Sequence, residues 1–112
     1  MTDIIFTQNA DHKITGFESR GHAGFARKGK DVVCAAISVL TINAVNSIEK
    51  IAKAEADVVQ DGKEGLIKLR LLSEPDVKTE TILRSLILGL KGVSADYGGR
   101  YCKVTIEEEV QC

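Results

Sequence analysis

The chain has 112 residues, enough for one domain with a buried core that needs neither disulfides nor metals. Apolar residues make up 44% and charged residues 28%, and the net charge of -1 excludes a global basic field for holding nucleic acid. The three cysteines, Cys34, Cys102 and Cys112, are odd in number and widely spaced, with no CxxC pair. That is not a disulfide framework, it argues against a zinc finger or a thioredoxin-like site, and it fits reduced thiols in a cytosolic protein.

The first thirteen residues, MTDIIFTQNADHK, have no basic region, long apolar stretch or small-residue cleavage site. They do not read as a signal peptide. No apolar run approaches the roughly 18 residues of a spanning helix, so a cytoplasmic protein without a membrane partner is expected. Residues 2–8 are rich in strand formers, Asn9 to His12 form a turn, and residues 13–20 read as a second strand, giving a hairpin. Residues 21–31, GHAGFARKGKD, carry three glycines without apolar periodicity and read as a loop.

Asp31 is a good N-cap for a helix running to about residue 53. Val33, Ile37, Leu40, Ala44, Ile48 and Ile51 form its core stripe. Val32, Ala35, Val39 and Ile42 form a second apolar stripe, so this helix is expected to be buried on more than one side or at a dimer interface. Residues 56–61 and 65–71 read as strands joined at Asp61–Gly62, with Ile67, Leu69 and Leu71 inward. A second helix over 77–96 follows Pro75, with Ile82, Leu86, Leu90 and Val93 as its stripe, and Gly98 and Gly99 end it. A last strand, 101–107, places Cys102, Val104 and Ile106 on one face. The order β-β-α-β-β-α-β predicts an α+β domain spanning 1–112, with two helices packed on a mixed or antiparallel sheet. Strand order is not readable from the pattern.

Chemistry concentrates between Gly21 and Cys34. Cys34 falls in the first helical turn, where unpaired backbone N–H groups and the positive end of the helix dipole favour a thiolate. His22 lies at the far end of the glycine-containing loop, which can fold back to bring an imidazole to a thiol. Such a pair has the parts for acyl transfer: a nucleophile, first-turn N–H groups for the oxyanion, and an imidazolium to protonate the leaving amine. Asp31 has two possible jobs, capping the helix or also orienting His22. The plainer alternative stands beside this one, because a lone helical cysteine is usually a small buried hydrophobe. Gly24 to Lys30 also matches GxxxxGK, but Asp31 stands where a P-loop needs Ser or Thr, and its carboxylate would repel phosphate.

Gly21-His22-Ala23, a variable stretch, then Gly29-x-Asp31-Val32-Val33-Cys34-Ala35-Ala36 with Ser38 and Leu40 resembles the signature of the ribosomal-processing cysteine protease Prp family. Length, hairpin, second helix and closing strand extend the resemblance over nearly the whole chain. It implies a small bacterial cytoplasmic peptidase, homodimeric, that removes an N-terminal extension from a large-subunit ribosomal protein for ribosome assembly. The partner would be the precursor of that protein, with no cofactor, no metal and no direct nucleic-acid binding. It places the nucleophile on Cys34, the general acid/base on His22 and the family's aspartate on Asp31. Gly21, Ala23 and Ser38 are candidates to line the site, and the 23–30 loop would move to admit substrate.

Two rival readings use the same region. A non-catalytic ribosome- or RNA-associated module would use Arg20, Arg27, Lys28 and Lys30 as a local basic patch. A metal site would need His22, Cys34 and His12, whose spacing is irregular. His12 itself reads as a surface turn residue, Cys102 as core and Cys112 as a loosely held last residue. Tyr97 and Tyr101 are expected to cover the sheet edge, and Glu107 to Glu109 form a solvated acidic end.

Overall fold

The computed structural model describes residues 1–109; Cys112 lies outside them. Thr2–Gln8 (β1) and Ile14–Arg20 (β2) pair antiparallel, with Ile4 opposite Ser19 and Phe6 opposite Phe17. The Asn9 side chain makes the turn between them, accepting the N–H groups of Asp11 at 3.0 Å and Lys13 at 3.1 Å. Lys13 therefore belongs to the turn, and β2 begins one residue later than the pattern suggested.

Val32–Lys50 (α1) starts on Asp31 and stops short of the expected residue 53. Lys53 has a φ of 56°, a left-handed backbone that no α-helix accommodates. Its buried face is Val33, Ile37, Thr41, Ala44, Val45 and Ile48. Leu40 is only partly buried, and Ile51, beyond the helix end, is 69% exposed. The second stripe does not turn inward. Val32, Ala35, Val39 and Ile42 are exposed, Val39 to 64%. By length and composition α1 is long and apolar enough to span a bilayer, contrary to the expectation from apolar runs alone, because polar residues punctuate its apolar positions. Its place is that of a core helix laid on a sheet.

Ala56–Asp61 (β3) and Leu66–Leu71 (β4) form a hairpin whose turn covers 62–65. Val77–Tyr97 (α2) is capped by Asp76 and ended by Gly98, and Cys102–Glu108 (β5) closes the chain. The five strands lie in the order β3-β4-β2-β1-β5; all neighbours are antiparallel except β1 and β5. The sheet is thus mixed, and the predicted α+β order is the one found.

Both helices pack against each other and the sheet. The core fills the space between, with Ile4, Phe6, Phe17, Leu69, Leu83, Leu90 and Cys102 almost fully buried. At apolar burial worth about 25 cal/mol per Å², this shared layer is the main source of stability. Lys68 and Arg70 alternate with the inward residues and stay in water. The arrangement brings the end of β2, the start of α1 and the β3–β4 turn to one end of the sheet. Past the strands themselves, the Gly21 N–H still donates to the Glu64 carbonyl at 3.2 Å.

Candidate active site

Cys34 sits three residues past the cap, partly exposed. Its own N–H donates to Asp31 Oδ1 at 2.9 Å, and its Sγ accepts the N–H of Ala23 at 3.1 Å. Ala23 is nearly fully buried, so that donor is held firmly against the sulfur. The other carboxylate oxygen of Asp31 reaches back into the loop and accepts the N–H groups of Phe25 at 2.9 Å and Ala26 at 3.3 Å. Burial works against ionisation of Asp31. The N–H groups of Cys34, Ala26 and Phe25 outweigh it and hold the carboxyl below the ordinary carboxylate range.

Asp31 is therefore a cap and a loop anchor together. Its hydrogen bonds go to the backbone of residues 25, 26 and 34, and none goes to His22. The first-turn donors are also fewer than expected for an oxyanion. Cys34 N–H is taken by the Asp31 side chain, and Ala35 N–H by the Asp31 carbonyl at 3.1 Å. Val32 and Val33 are the first-turn residues whose N–H groups are not committed to Asp31.

His22 is exposed, with Nε2 3.3 Å from the carbonyl oxygen of Lys63 in the β3–β4 turn. A carbonyl can only accept, so this contact is a hydrogen bond only when Nε2 carries the proton, the tautomer that leaves the ring's lone pair on Nδ1. His22 and Cys34 together line two cavities. The smaller, about 260 Å³, is walled by Ile37, Ile42, Leu66 and Ile67, with Ser19, Ser38 and Gln60 among its polar groups. The larger, about 560 Å³, lies under the loop and includes Lys28, Asp31 and Lys63. Gly62 borders both, so the two cavities meet at the histidine and the cysteine.

Of the other residues singled out in the sequence, Gly21 and Ser38 line the smaller cavity. Arg20 is engaged by Glu64 at 3.3 Å and Glu18 at 3.5 Å, while Arg27, Lys28 and Lys30 are exposed on the loop. His12 lies in the β1–β2 turn, outside both cavities, and no His/Cys/Asp/Glu cluster able to hold a metal occurs among the described residues. Cys102 is fully buried, and burial pushes its thiol up, as befits a core residue. Tyr97 and Tyr101 do not simply cover the sheet edge. They meet the Phe25 ring edge-on at 5.4 and 5.1 Å and hold the loop from the far side. The sequence reading missed the β3–β4 contribution altogether. The Asp61–Gly62 pair signalled a turn, but nothing local connected that turn with His22.

Residues 1–103 match the family model described as cysteine protease Prp. The ribosomal processing cysteine protease Prp of Bacillus subtilis is 29% identical over 101 residues, 87% of this chain and 90% of that protein. The protein of the same name from Mycoplasma pneumoniae is 36% identical over 86 residues, 77% of this chain and 79% of that protein. Among solved structures, the essential ribosomal processing protease Prp of S. aureus, in complex with a covalently linked product peptide, superposes with a TM-score of 0.86. It shares 23% identity and covers 97% of this chain and 100% of its own, a likeness of fold. A Streptococcus mutans protein gives a TM-score of 0.82 at 26% identity, covering 97% of this chain and 96% of its own.

Proposed function

The chain belongs to the cysteine protease Prp family, and from that premise we propose that Cys34 is its nucleophile and His22 its general acid/base. The substrate in this reading is the precursor of a large-subunit ribosomal protein, from which the enzyme removes an N-terminal extension; the relatives' names, which speak of ribosomal processing, support its class. The observation that supports it most is the meeting of two cavities at His22 and Cys34. A peptide lying in both would carry its scissile bond past the sulfur.

The reaction runs in two halves. His22 Nδ1 takes the Cys34 proton, and the Ala23 N–H stabilises the charge on Sγ. The sulfur attacks the peptide carbonyl carbon and forms a C–S bond. The C–N bond breaks, and the departing amine receives its proton from the imidazolium. Neutral His22 then accepts a proton from water as the water oxygen attacks the thioester. The C–S bond breaks, the new carboxyl product leaves, and the thiolate is restored.

Cys34→Ala is expected to abolish cleavage of a peptide spanning the extension, with an unchanged circular dichroism spectrum. His22→Ala should lower kcat by about 10² to 10⁴. Cleavage by Cys34→Ala at the wild-type rate would sink the reading. The same reading makes the protein a cytoplasmic homodimer, and the exposed Val32, Val39 and Ile42 stripe supports the dimer. Val39→Glu should then shift the sedimentation coefficient to that of a monomer; an unshifted dimer would move the interface elsewhere.

A further inference from the structure

The β3–β4 turn is tied to the histidine segment at four points. The Gly21 N–H donates to the Glu64 carbonyl at 3.2 Å, and Arg20 pairs with the Glu64 carboxylate at 3.3 Å. Lys63 O lies 3.3 Å from His22 Nε2. Gly65, at a φ of +59°, presses its bare Cα against the same segment. A Cβ on Gly65 would meet Gly21 O at 2.6 Å, Gly21 C at 3.0 Å and His22 Cε1 at 3.1 Å. The first two neighbours are backbone and cannot swing aside. The turn is itself fixed, with the Lys63 N–H donating to Asp61 Oδ1 at 3.0 Å.

We infer that this turn positions His22, the Lys63 carbonyl choosing its tautomer and Gly65 leaving room for the ring. The inference rests on the proposed role of His22. Asp31 spends its oxygens elsewhere, so the third member that orients the imidazole is a main-chain carbonyl from another hairpin. It holds Nε2 protonated, leaves Nδ1 as the base, and offers a dipole to the imidazolium once the proton has moved. The contact uses the Lys63 main chain, so the identity of that side chain is not required for it. Lys63 and Gly65 are positioning residues here and touch no substrate.

The test compares Gly65→Ala with Gly65→Asn in the full-length enzyme. Asn tolerates the left-handed backbone better than Ala, yet both carry the Cβ that meets Gly21 and His22. Asn should recover thermal stability relative to Ala while kcat stays about 10²-fold below wild type, with KM changed by less than about threefold. Imidazole ¹⁵N spectra of the wild type should show His22 protonated at Nε2, and this signature should weaken in Gly65→Asn. A wild-type kcat in Gly65→Asn overturns the inference, as does an Nδ1-protonated ring in the wild type. If neither variant folds, the wild-type spectrum still decides. Loss of activity in His22→Ala beside a fully active Gly65→Asn defeats this inference alone. Full activity in His22→Ala defeats the proposed function beneath it.

Discussion

Asp31 ahead of α1 and Asp76 ahead of α2 both accept the backbone N–H three residues on, Cys34 at 2.9 Å and Thr79 at 2.8 Å. Beyond that shared bond the two helix starts diverge. Glu80 stands in the first turn of α2, where negative charge suits the helix dipole; it also accepts the Ile14 N–H at 2.8 Å and pairs with Arg84 at 2.9 Å. Thr79, the residue matching Cys34, is fully buried. The first turn of α1 holds no acidic residue, its third position is partly open, and the spare oxygen of Asp31 reaches out to the loop. One start is arranged to stabilise a helix and tie it to the β1–β2 hairpin. The other adds no acid beyond its cap and leaves Cys34 partly open. The same cap thus serves stability in one place and, in the proposed mechanism, a reaction centre in the other.

The sharpest way to break that contrast is to give α1 the acid that α2 has. Ala35 is the α1 position equivalent to Glu80, exposed and bordering the larger cavity. Ala35→Glu should leave the melting temperature unchanged or slightly higher, since a first-turn carboxylate gains about 0.3–1 kcal/mol from the dipole. Cleavage should fall roughly tenfold or more, because a like charge near the sulfur costs about 1–2 kcal/mol at an effective dielectric of about 20. Unimpaired cleavage by this variant would mean that the open first turn has no bearing on catalysis.

A smaller effect separates the two caps. Asn caps helices about as well as Asp, but offers one accepting oxygen. The Asp76 side chain takes a single backbone donor, so Asp76→Asn should leave activity unchanged and lose only the small part of the stability that the carboxylate's charge adds. Asp31 uses both oxygens, and Asn can serve either the helix or the loop. Asp31→Asn should keep the fold yet lower kcat/KM by several-fold, on the order of one lost anchor bond worth about 1 kcal/mol. Equal behaviour of the two variants in a cleavage assay would remove the distinction drawn between them.

Local chemistry was legible in the sequence and contacts between distant segments were not. Asp31 and Cys34 could be read because cap and first turn are adjacent, and strand alternation gave Ile67, Leu69 and Leu71 their face. Helical spacing, however, records that Val39 and Ile42 are apolar without saying whether anything covers them. Lys63 reaches His22 across 41 positions, and only because β4 returns to pair with β2. A main-chain carbonyl has no residue type to announce it. Tyr97 and Tyr101 read as cover for the sheet edge, whereas their partner Phe25 lies in a loop whose path depends on Asp31. What the pattern could not show was how the folded chain brings the second hairpin and the loop to the same end of the sheet.

The smallest expected difference between the two caps lies in acid. The Asp76 carboxyl is lowered chiefly by the Thr79 N–H, and the Asp31 carboxyl by three N–H groups against the opposing effect of burial. A depressed carboxyl contributes stability that is complete above its unfolded value, near 4, and is lost as pH falls through the folded value. Both caps therefore stabilise the protein throughout neutral pH and begin to fail only below about pH 4. They should fail with different consequences. Protonating Asp76 loosens a helix start that Glu80 also supports, whereas protonating Asp31 frees the Phe25 and Ala26 N–H groups at once. Amide exchange followed from pH 5 downward should show residues 25 and 26 losing protection before the first turn of α2. The reverse order would place the weaker anchor at α2 and make the loop, not the second helix, the firmer of the two.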